Sequence, residues 1–236
     1  MASAKRVLLK LSGEWFAGKK EKGFVEKTFE RISSAIDFTK QKKIRLGIVL
    51  GGGNIFRGRD LKDIKIDRVS ADYIGMLSTI MNGIALSNFL REKGHSNKLF
   101  SSFAIGNFVK AYNTEDALNA LMNEKVILLV GGIGNPLFTT DSTASIRANE
   151  LEVDFMLKAT NVDGVYDMDP KENPKAKKFE NLTFDDAINQ NLQVMDQTAL
   201  CFCRDNNLQV RVFNADEKDG FEKAISGEEI GTLLKN

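Results

Sequence analysis

The stretch Ile48-Val49-Leu50-Gly51-Gly52-Gly53-Asn54 sends a short apolar run straight into three consecutive glycines. The same pattern recurs in Leu8-Leu9-Lys10-Leu11-Ser12-Gly13-Glu14 and in Leu128-Leu129-Val130-Gly131-Gly132-Ile133-Gly134-Asn135. Short apolar runs bounded by turn residues read as strands covered on both faces, the habit of parallel sheets. In such sheets ligands bind beyond the carboxyl ends of the strands. Glycine there lets backbone N–H groups approach an anion with no Cβ in the way. One such turn can be mere chain reversal; three together predict a floor for one long anionic ligand, or for two placed end to end.

Outward from these turns, β-branched runs alternate with segments of helical period, the pattern of βα units and a largely parallel sheet. Strands are expected over 7–11, 44–50, 98–103, 126–130, 153–159 and 208–213. Val25, Phe29, Ile32 and Ile36 recur at helical spacing, as do Val69, Tyr73, Met76, Leu77, Ile80 and Ile84, and both stripes read as core faces. A further helix is expected to start at Asp141, with its carboxylate capping the first turn, and others over 114–123, 183–190, 196–206 and 219–226. The class is α/β. The segment from Asp163 to Lys178, with Gly164, Pro170, Pro174 and many charges, reads as an irregular insertion. It would divide a lobe of about 160 residues from a smaller carboxyl-terminal one.

Composition removes several function classes. The 236 residues amount to one large domain or two small lobes at roughly 150 residues per domain, enough to fold without a disulfide or metal staple. Thirty-three Lys and Arg against 32 Asp and Glu leave a net charge of +1, which argues against a nucleic-acid or membrane-surface binder. His95 is the sole histidine and follows Gly94 in a turn-like stretch, so His-dependent nucleophile systems have little to draw on. Cys201 and Cys203 form neither a redox pair nor half a zinc site, and read as buried free thiols. With no long apolar run and no signal-like start, a soluble cytoplasmic protein is expected, with no membrane partner.

Two familiar phosphate motifs fail on inspection. Gly53-Asn54-Ile55-Phe56-Arg57-Gly58 has the glycine spacing of a Walker loop, but Arg59 and Asp60 replace its Lys and Ser or Thr. Gly51 and Gly53 are followed by Phe56 at the third position of the dinucleotide fingerprint. What remains is cations beside glycine turns: Lys10 inside an apolar strand, where a solvated charge is out of place, and Arg57 after the triple glycine. Thr139-Thr140-Asp141 at a helix start adds hydroxyls, free N–H groups and the positive end of a helix dipole.

Four blocks together resemble the bacterial uridylate kinase family of the amino acid kinase superfamily. They are Lys10-Leu11-Ser12-Gly13; Gly51 through Gly58; Gly134-Asn135-Pro136-Leu137-Phe138-Thr139-Thr140-Asp141-Ser142; and Lys158-Ala159-Thr160-Asn161-Val162-Asp163-Gly164-Val165-Tyr166 with Asp169-Pro170. The likeness runs from about Val7 to Leu234 and includes Arg68 to Asp72, Met81-Asn82-Gly83 and Val194-Met195-Asp196. The resemblance implies a three-layer α/β/α sandwich with a mainly parallel central sheet, a homohexamer, and transfer of the ATP γ-phosphoryl group to UMP in pyrimidine nucleotide synthesis. Mg²⁺ would enter as Mg-ATP, and no resident metal site is implied. By the same resemblance Lys10, Leu11, Ser12 and Gly13 meet the ATP phosphates with Gly53, Arg57 and Lys158, while Thr160, Asn161, Tyr166 and Asp169 surround the adenine nucleoside. UMP falls to Gly52, Asp72 and the run Ile133, Gly134, Asn135, Pro136, Leu137, Phe138, Thr139 and Thr140. Lys10, Arg57 and Asp141 are the expected catalytic set, with Asp141 holding Lys10.

Two departures stand out. The loop Gly18-Lys19-Lys20-Glu21-Lys22-Gly23-Phe24-Val25 is longer and more basic than the family's GTP-responsive segment, with Val25 where glycine is common; this weighs against GTP activation. Ile133 stands where threonine is frequent in the family, which by the resemblance implies the loss of either a hydroxyl contact near the nucleobase or a link in regulatory coupling. The rival readings are a sister kinase acting on carbamate or an acidic amino acid, and a nucleotide-binding storage or regulatory protein.

Overall fold

Side chains of the first strand, β1 (Arg6–Leu11), alternate between two apolar clusters: Val7, Leu9 and Leu11 join one and Leu8 the other. The same split separates Ile48 and Leu50 from Val49 in β2 (Arg45–Leu50), and Leu128 and Val130 from Ile127 and Leu129 in β5 (Val126–Val130). A period of two with both faces apolar describes a sheet buried between two helical layers. The computed structural model describes residues 5–20, 22–56, 65–170 and 172–236.

The other strands of this sheet are β3 (Asn97–Ser101), β4 (Lys110–Ala111), β6 (Phe155–Thr160), β9 (Asn181–Thr183), β10 (Val210–Asn214) and β11 (Thr232–Lys235). The spatial order is β4-β3-β5-β2-β1-β6-β10-β11-β9. Every pairing is parallel except β10 with β11. A separate antiparallel ribbon, β7 (Val165–Tyr166) with β8 (Lys178–Phe179), frames the segment read from sequence as an irregular insertion.

One face of the sheet carries α1 (Gly13–Ala17), α2 (Glu26–Gln41), α3 (Arg68–Glu92) and α8 (Gly220–Ser226), where the rings of Trp15, Phe16, Phe29 and Phe221 interlock edge to face. The other face carries α4 (Thr114–Met122), α5 (Thr140–Glu150), α6 (Phe184–Asn189) and α7 (Gln197–Asp205). All six expected strands and all seven expected helices are present, and the α/β/α sandwich with a mainly parallel sheet holds.

Three expectations are corrected. First, α5 is capped by Thr139, whose hydroxyl accepts from the N–H groups of Asp141 and Ser142 at 3.0 and 3.2 Å; the Asp141 carboxylate is engaged elsewhere. Second, the α3 stripe is not one core face: Met76 and Ile80 are buried, whereas Val69, Tyr73, Leu77 and Ile84 are exposed, Leu77 by 50%. By length and composition α3 alone among the described helices could cross a membrane, but half of its apolar window is buried, and it packs on β2, β3 and β5. Third, of the two thiols only Cys203 is buried, and Cys201 is half-buried.

Candidate active site

Lys10 lies on the β1 face that looks toward α5, two residues after Leu8. Its register partner across β6 is Lys158. Two lysines directly opposite on adjacent strands repel unless an anion sits between them. Asp141, in the first turn of α5, is that anion: Lys10 Nζ lies 3.0 Å from Oδ1 and Lys158 Nζ donates to Oδ2 at 2.6 Å. The Lys10 contact is a close ion pair on Oδ1. Burial favours the neutral acid, but the Lys10 charge, the Lys158 charge and their hydrogen bonds outweigh it and bring the Asp141 carboxyl down to about 2. Burial lowers the Lys158 pKa, with Asp141 pulling the other way. The site therefore holds two lysines against one carboxylate, the polarity a phosphate chain requires.

Lys158 also donates to the Val194 carbonyl at 2.5 Å. Asp196 caps α7 by accepting from the Ala199 N–H, and its carboxylate accepts from the Thr139 and Ser142 hydroxyls at 2.5 and 2.8 Å. The start of α5 and the loop before α7 are thus joined directly by Thr139, Ser142 and Asp196, and through Lys158, which bonds both Asp141 and the Val194 carbonyl.

The glycine turns meet beside this cluster. A Cβ on Gly13 would lie 2.3 Å from the Gly53 nitrogen, so the turn after β1 and the turn after β2 interlock only with glycine at that position. The Gly51 N–H donates to the Leu11 carbonyl at 2.9 Å, continuing the strand pairing into the turn.

Two clefts open at the carboxyl edge of the sheet. One, of about 270 Å³, is lined by Gly52, Gly53, Asp72, Asn135, Phe138 and Thr139, together with Thr140, Phe56, Arg68 and residues of α3. Arg68 Nε donates to both Asp72 oxygens at 2.9 Å, and Asp72 Oδ2 accepts from the Leu137 N–H at 2.8 Å, tying the loop after β5 to α3. The other cleft, of about 320 Å³, is lined by Thr160, Tyr166, Asp169, Met168 and the 190–194 loop up to Val194. On its rim the Tyr166 hydroxyl donates to Asp163 Oδ1 at 2.7 Å and Lys178 Nζ to Oδ2 at 3.1 Å.

The geometry sorts the sequence-derived set. Gly52, Asp72, Asn135, Phe138, Thr139 and Thr140 share the first cleft, and Thr160, Tyr166 and Asp169 the second. Ile133, Gly134, Pro136 and Leu137 belong to the same loop but do not line the cleft, and Asn161 does not line the other. Gly53 lines the first cleft, at its junction with Gly13, and Leu11 is a core side chain with no exposed surface. Ser12 precedes α1 as its N-cap residue without a side-chain cap bond. Arg57 lies outside the described residues. Sequence reasoning assigned no role to Asp196, Val194, Asp163 or the 190–194 loop. Within the family resemblance the Val194-Met195-Asp196 block contains Val194 and Asp196 and the Lys158–Tyr166 block contains Asp163, while nothing signals 190–193. Among the described residues no group of three or more His, Cys, Asp and Glu side chains is placed to hold a metal ion.

With this geometry in place, the chain belongs to the amino acid kinase family, whose model matches residues 5–214. It is 42% identical over 236 residues, 100% of both chains, to a protein named uridylate kinase from Bacteroides thetaiotaomicron. It is also 42% identical over 230 residues to one of the same name from Haemophilus influenzae, with 98% of this chain and 97% of that one covered. The solved UMP kinase from Bacillus anthracis superposes with a TM-score of 0.94 at 40% identity, over 98% of this chain and 96% of that one. The UMP kinase from Ureaplasma parvum gives 0.93 at 37%, over 99% and 100%.

Proposed function

We propose that this protein is a UMP kinase, transferring the γ-phosphoryl group of ATP to UMP to give UDP and ADP. The observation that carries the proposal is the Lys10–Asp141–Lys158 cluster, in which Asp141 follows Thr140 of one cleft and Lys158 bonds Val194 of the other, in a chain aligned end to end with uridylate kinases. The 270 Å³ cleft takes UMP, with Asp72 placed for ribose hydroxyls, and the 320 Å³ cleft takes the adenine nucleoside of ATP.

The chemistry suits the residues. A phosphate monoester has a second pKa near 6, so UMP is mostly a dianion at neutral pH and needs no general base. The obstacle is bringing two anions together while charge spreads over the transferred group. Lys10, Lys158 and the N–H groups of the glycine turns neutralise that charge. Asp141 keeps the two ammonium groups aimed and apart, and Asp196 fixes the start of α5 on which Asp141 stands. Magnesium arrives as part of Mg-ATP, coordinated mainly by phosphate oxygens and water. Arg57, the cation after the triple glycine, completes the set; Arg57→Ala is expected to lower kcat on the order of 10³- to 10⁵-fold, measured by ADP release.

The strands up to β6 serve the acceptor and the phosphates, and the residues from about 161 onward serve the adenine nucleoside, as two functional lobes of one sheet. Copies of the chain meet on α3, where Val69, Tyr73, Leu77, Met81 and Ile84 form an exposed apolar stripe fit for the expected homohexamer. Its work is in the cytoplasm, on soluble nucleotides, with neither nucleic acid nor membrane as partner.

The test is ADP release from Mg-ATP with UMP, CMP, carbamate or acetylglutamate offered separately, with a control lacking acceptor. Turnover that depends on UMP supports the proposal. Turnover with carbamate or acetylglutamate instead points to a sister kinase, and ATP binding with no turnover to a storage or regulatory protein.

A further inference from the structure

Two polar residues on the inner face of α3 hold the two glycine turns that line the acceptor cleft. Thr79 and Asn82 are three positions apart and so share a helix face. The Thr79 hydroxyl accepts from the Gly131 N–H at 2.7 Å and donates to the Met76 carbonyl at 2.7 Å. Asn82 Nδ2 donates to the Gly51 carbonyl at 2.6 Å and to Asn54 Oδ1 at 2.7 Å, and Asn54 Nδ2 returns a bond to Asn82 Oδ1 at 3.0 Å. Asn54 and Asn82 have no exposed surface and Thr79 has 5%. Buried polar groups are costly unless bonded, and apolar residues would seat this helix on the sheet equally well. Every polar bond named here ends on a turn residue or on the helix itself.

The turns need such anchoring. Gly131 has a φ of 77°, and a Cβ there would lie 2.6 Å from Ser101 Oγ, so the turn passes through a conformation only glycine takes readily; Thr79 holds its N–H while the Gly134 N–H bonds the Gly131 carbonyl and the Ser102 hydroxyl bonds the Gly132 carbonyl. Gly132, next along, lines the cleft with Gly52 and Gly53. Thr79 lines the cleft, but its hydroxyl hydrogen is taken by the Met76 carbonyl and its oxygen already accepts from the Gly131 N–H, so the hydroxyl can act on a substrate through the turn it holds.

We propose that Thr79 and Asn82 are positioning residues that set the acceptor site, Thr79 by fixing the turn after β5 and Asn82 by fixing the turn after β2. The inference rests on the reading that this cleft takes UMP. It predicts different kinetic signatures for the two residues. The β5 turn faces the acceptor cleft, whereas the β2 turn also abuts Gly13 beside the phosphate-binding lysines.

The experiment is steady-state kinetics with UMP and Mg-ATP varied in turn, on wild type, Thr79→Val, Thr79→Ser and Asn82→Asp, with circular dichroism as the check on folding. Valine matches threonine in size but removes the oxygen, so Thr79→Val should raise KM for UMP about tenfold and leave KM for ATP within about twofold. Thr79→Ser should restore the UMP value, and Asn82→Asp should raise both KM values and lower kcat. Equal shifts in both KM values for Thr79→Val, no shift at all, or failure of Thr79→Ser to restore the UMP KM would overturn the inference. Should Thr79→Val not fold, the contrast of Thr79→Ser with Thr79→Ala carries the same test. Absence of UMP turnover in the wild-type protein would instead overturn the reading of the cleft, and the inference with it.

Discussion

Two buried clusters of titratable groups lie at opposite ends of the sheet and handle charge in opposite ways. At the carboxyl edge, Lys10, Asp141 and Lys158 are charged and nearly enclosed, with side-chain exposures between 11% and 13%. At the amino edge, His95 sits before β3, 3% exposed, with Nε2 2.7 Å from the Ser33 hydroxyl and Nδ1 accepting from Lys40 at 2.9 Å. Burial first and the Lys40 charge second lower the His95 pKa, with Asp37 opposing, so this cluster keeps its imidazole neutral. Sealing a net positive charge inside a fold costs stability, and a cluster built only for stability removes the charge as His95 does. The carboxyl-edge cluster keeps its charges, which accords with the proposed handling of phosphate groups there.

The sharpest way to break this contrast is to neutralise the anion of the carboxyl edge. Asp141→Asn leaves Lys10 and Lys158 facing each other across the strand register. It should lower kcat on the order of 10²- to 10³-fold in an ADP-release assay. A loss of less than tenfold with the fold intact would mean that the cluster is structural after all.

The pH dependence separates the two clusters next. The His95 pKa is lowered in the fold, so below the unfolded value of about 6.5 the unfolded chain binds the extra proton. The stability that neutral His95 contributes is therefore present above about pH 6.5 and lost as pH falls below it. Asp141, also lowered, contributes stability above its ordinary value of 3.8 that is lost as pH falls toward about 2. Thermal melts at pH 7.5 and 5.5 should show wild-type Tm falling on acidification, and His95→Gln, which cannot titrate, should flatten that fall. An unchanged slope in His95→Gln would remove His95 from the account. Activity should follow the substrate: kcat/KM for UMP declines as its phosphate protonates near pH 6, with no limb from Asp141.

The smallest effect is chemical. Burial, then the charges of Asp141 and Asp196, push the Cys203 thiol up to about 12, so native protein at pH 8 should leave Cys203 unmodified by iodoacetamide. Mass spectrometry should find it labelled only after unfolding; rapid native labelling would show that the face between α5 and α7 opens.

The ends of this comparison were unequally legible in the sequence. Lys10 announces itself because a lysine inside an apolar strand has no ordinary reason to be there. Its partnership with Lys158 does not, since 148 residues separate them in the chain and only the adjacency of β1 and β6 makes them register partners. Asp141 carries two readings, a cap from its place at a helix start and an ion-pair partner of Lys10, because a carboxylate there suits both; the structure gives the capping to the Thr139 hydroxyl and leaves Asp141 with the lysines. The two- to four-residue strands β4, β7, β8, β9 and β11 are too short to show a period: β4 and β11 add to the longer β3 and β10, β9 adds to β11, and β7 and β8 pair only with each other. Helical period revealed α3 but could not say which side of it would be covered. Of the residues that line the 270 Å³ cleft, the glycine turns and the α5 start are local patterns, whereas Asp72 enters only through the family resemblance. The 190–194 wall is irregular loop and has no pattern to read.

The most direct test of the central claim is single-turnover phosphoryl transfer from γ-labelled ATP to UMP in Lys10→Met, with equilibrium binding of each nucleotide measured beside it. The account predicts a folded protein that still binds both nucleotides while transfer slows on the order of 10²-fold or more. Transfer within tenfold of wild type at saturating nucleotides would contradict it.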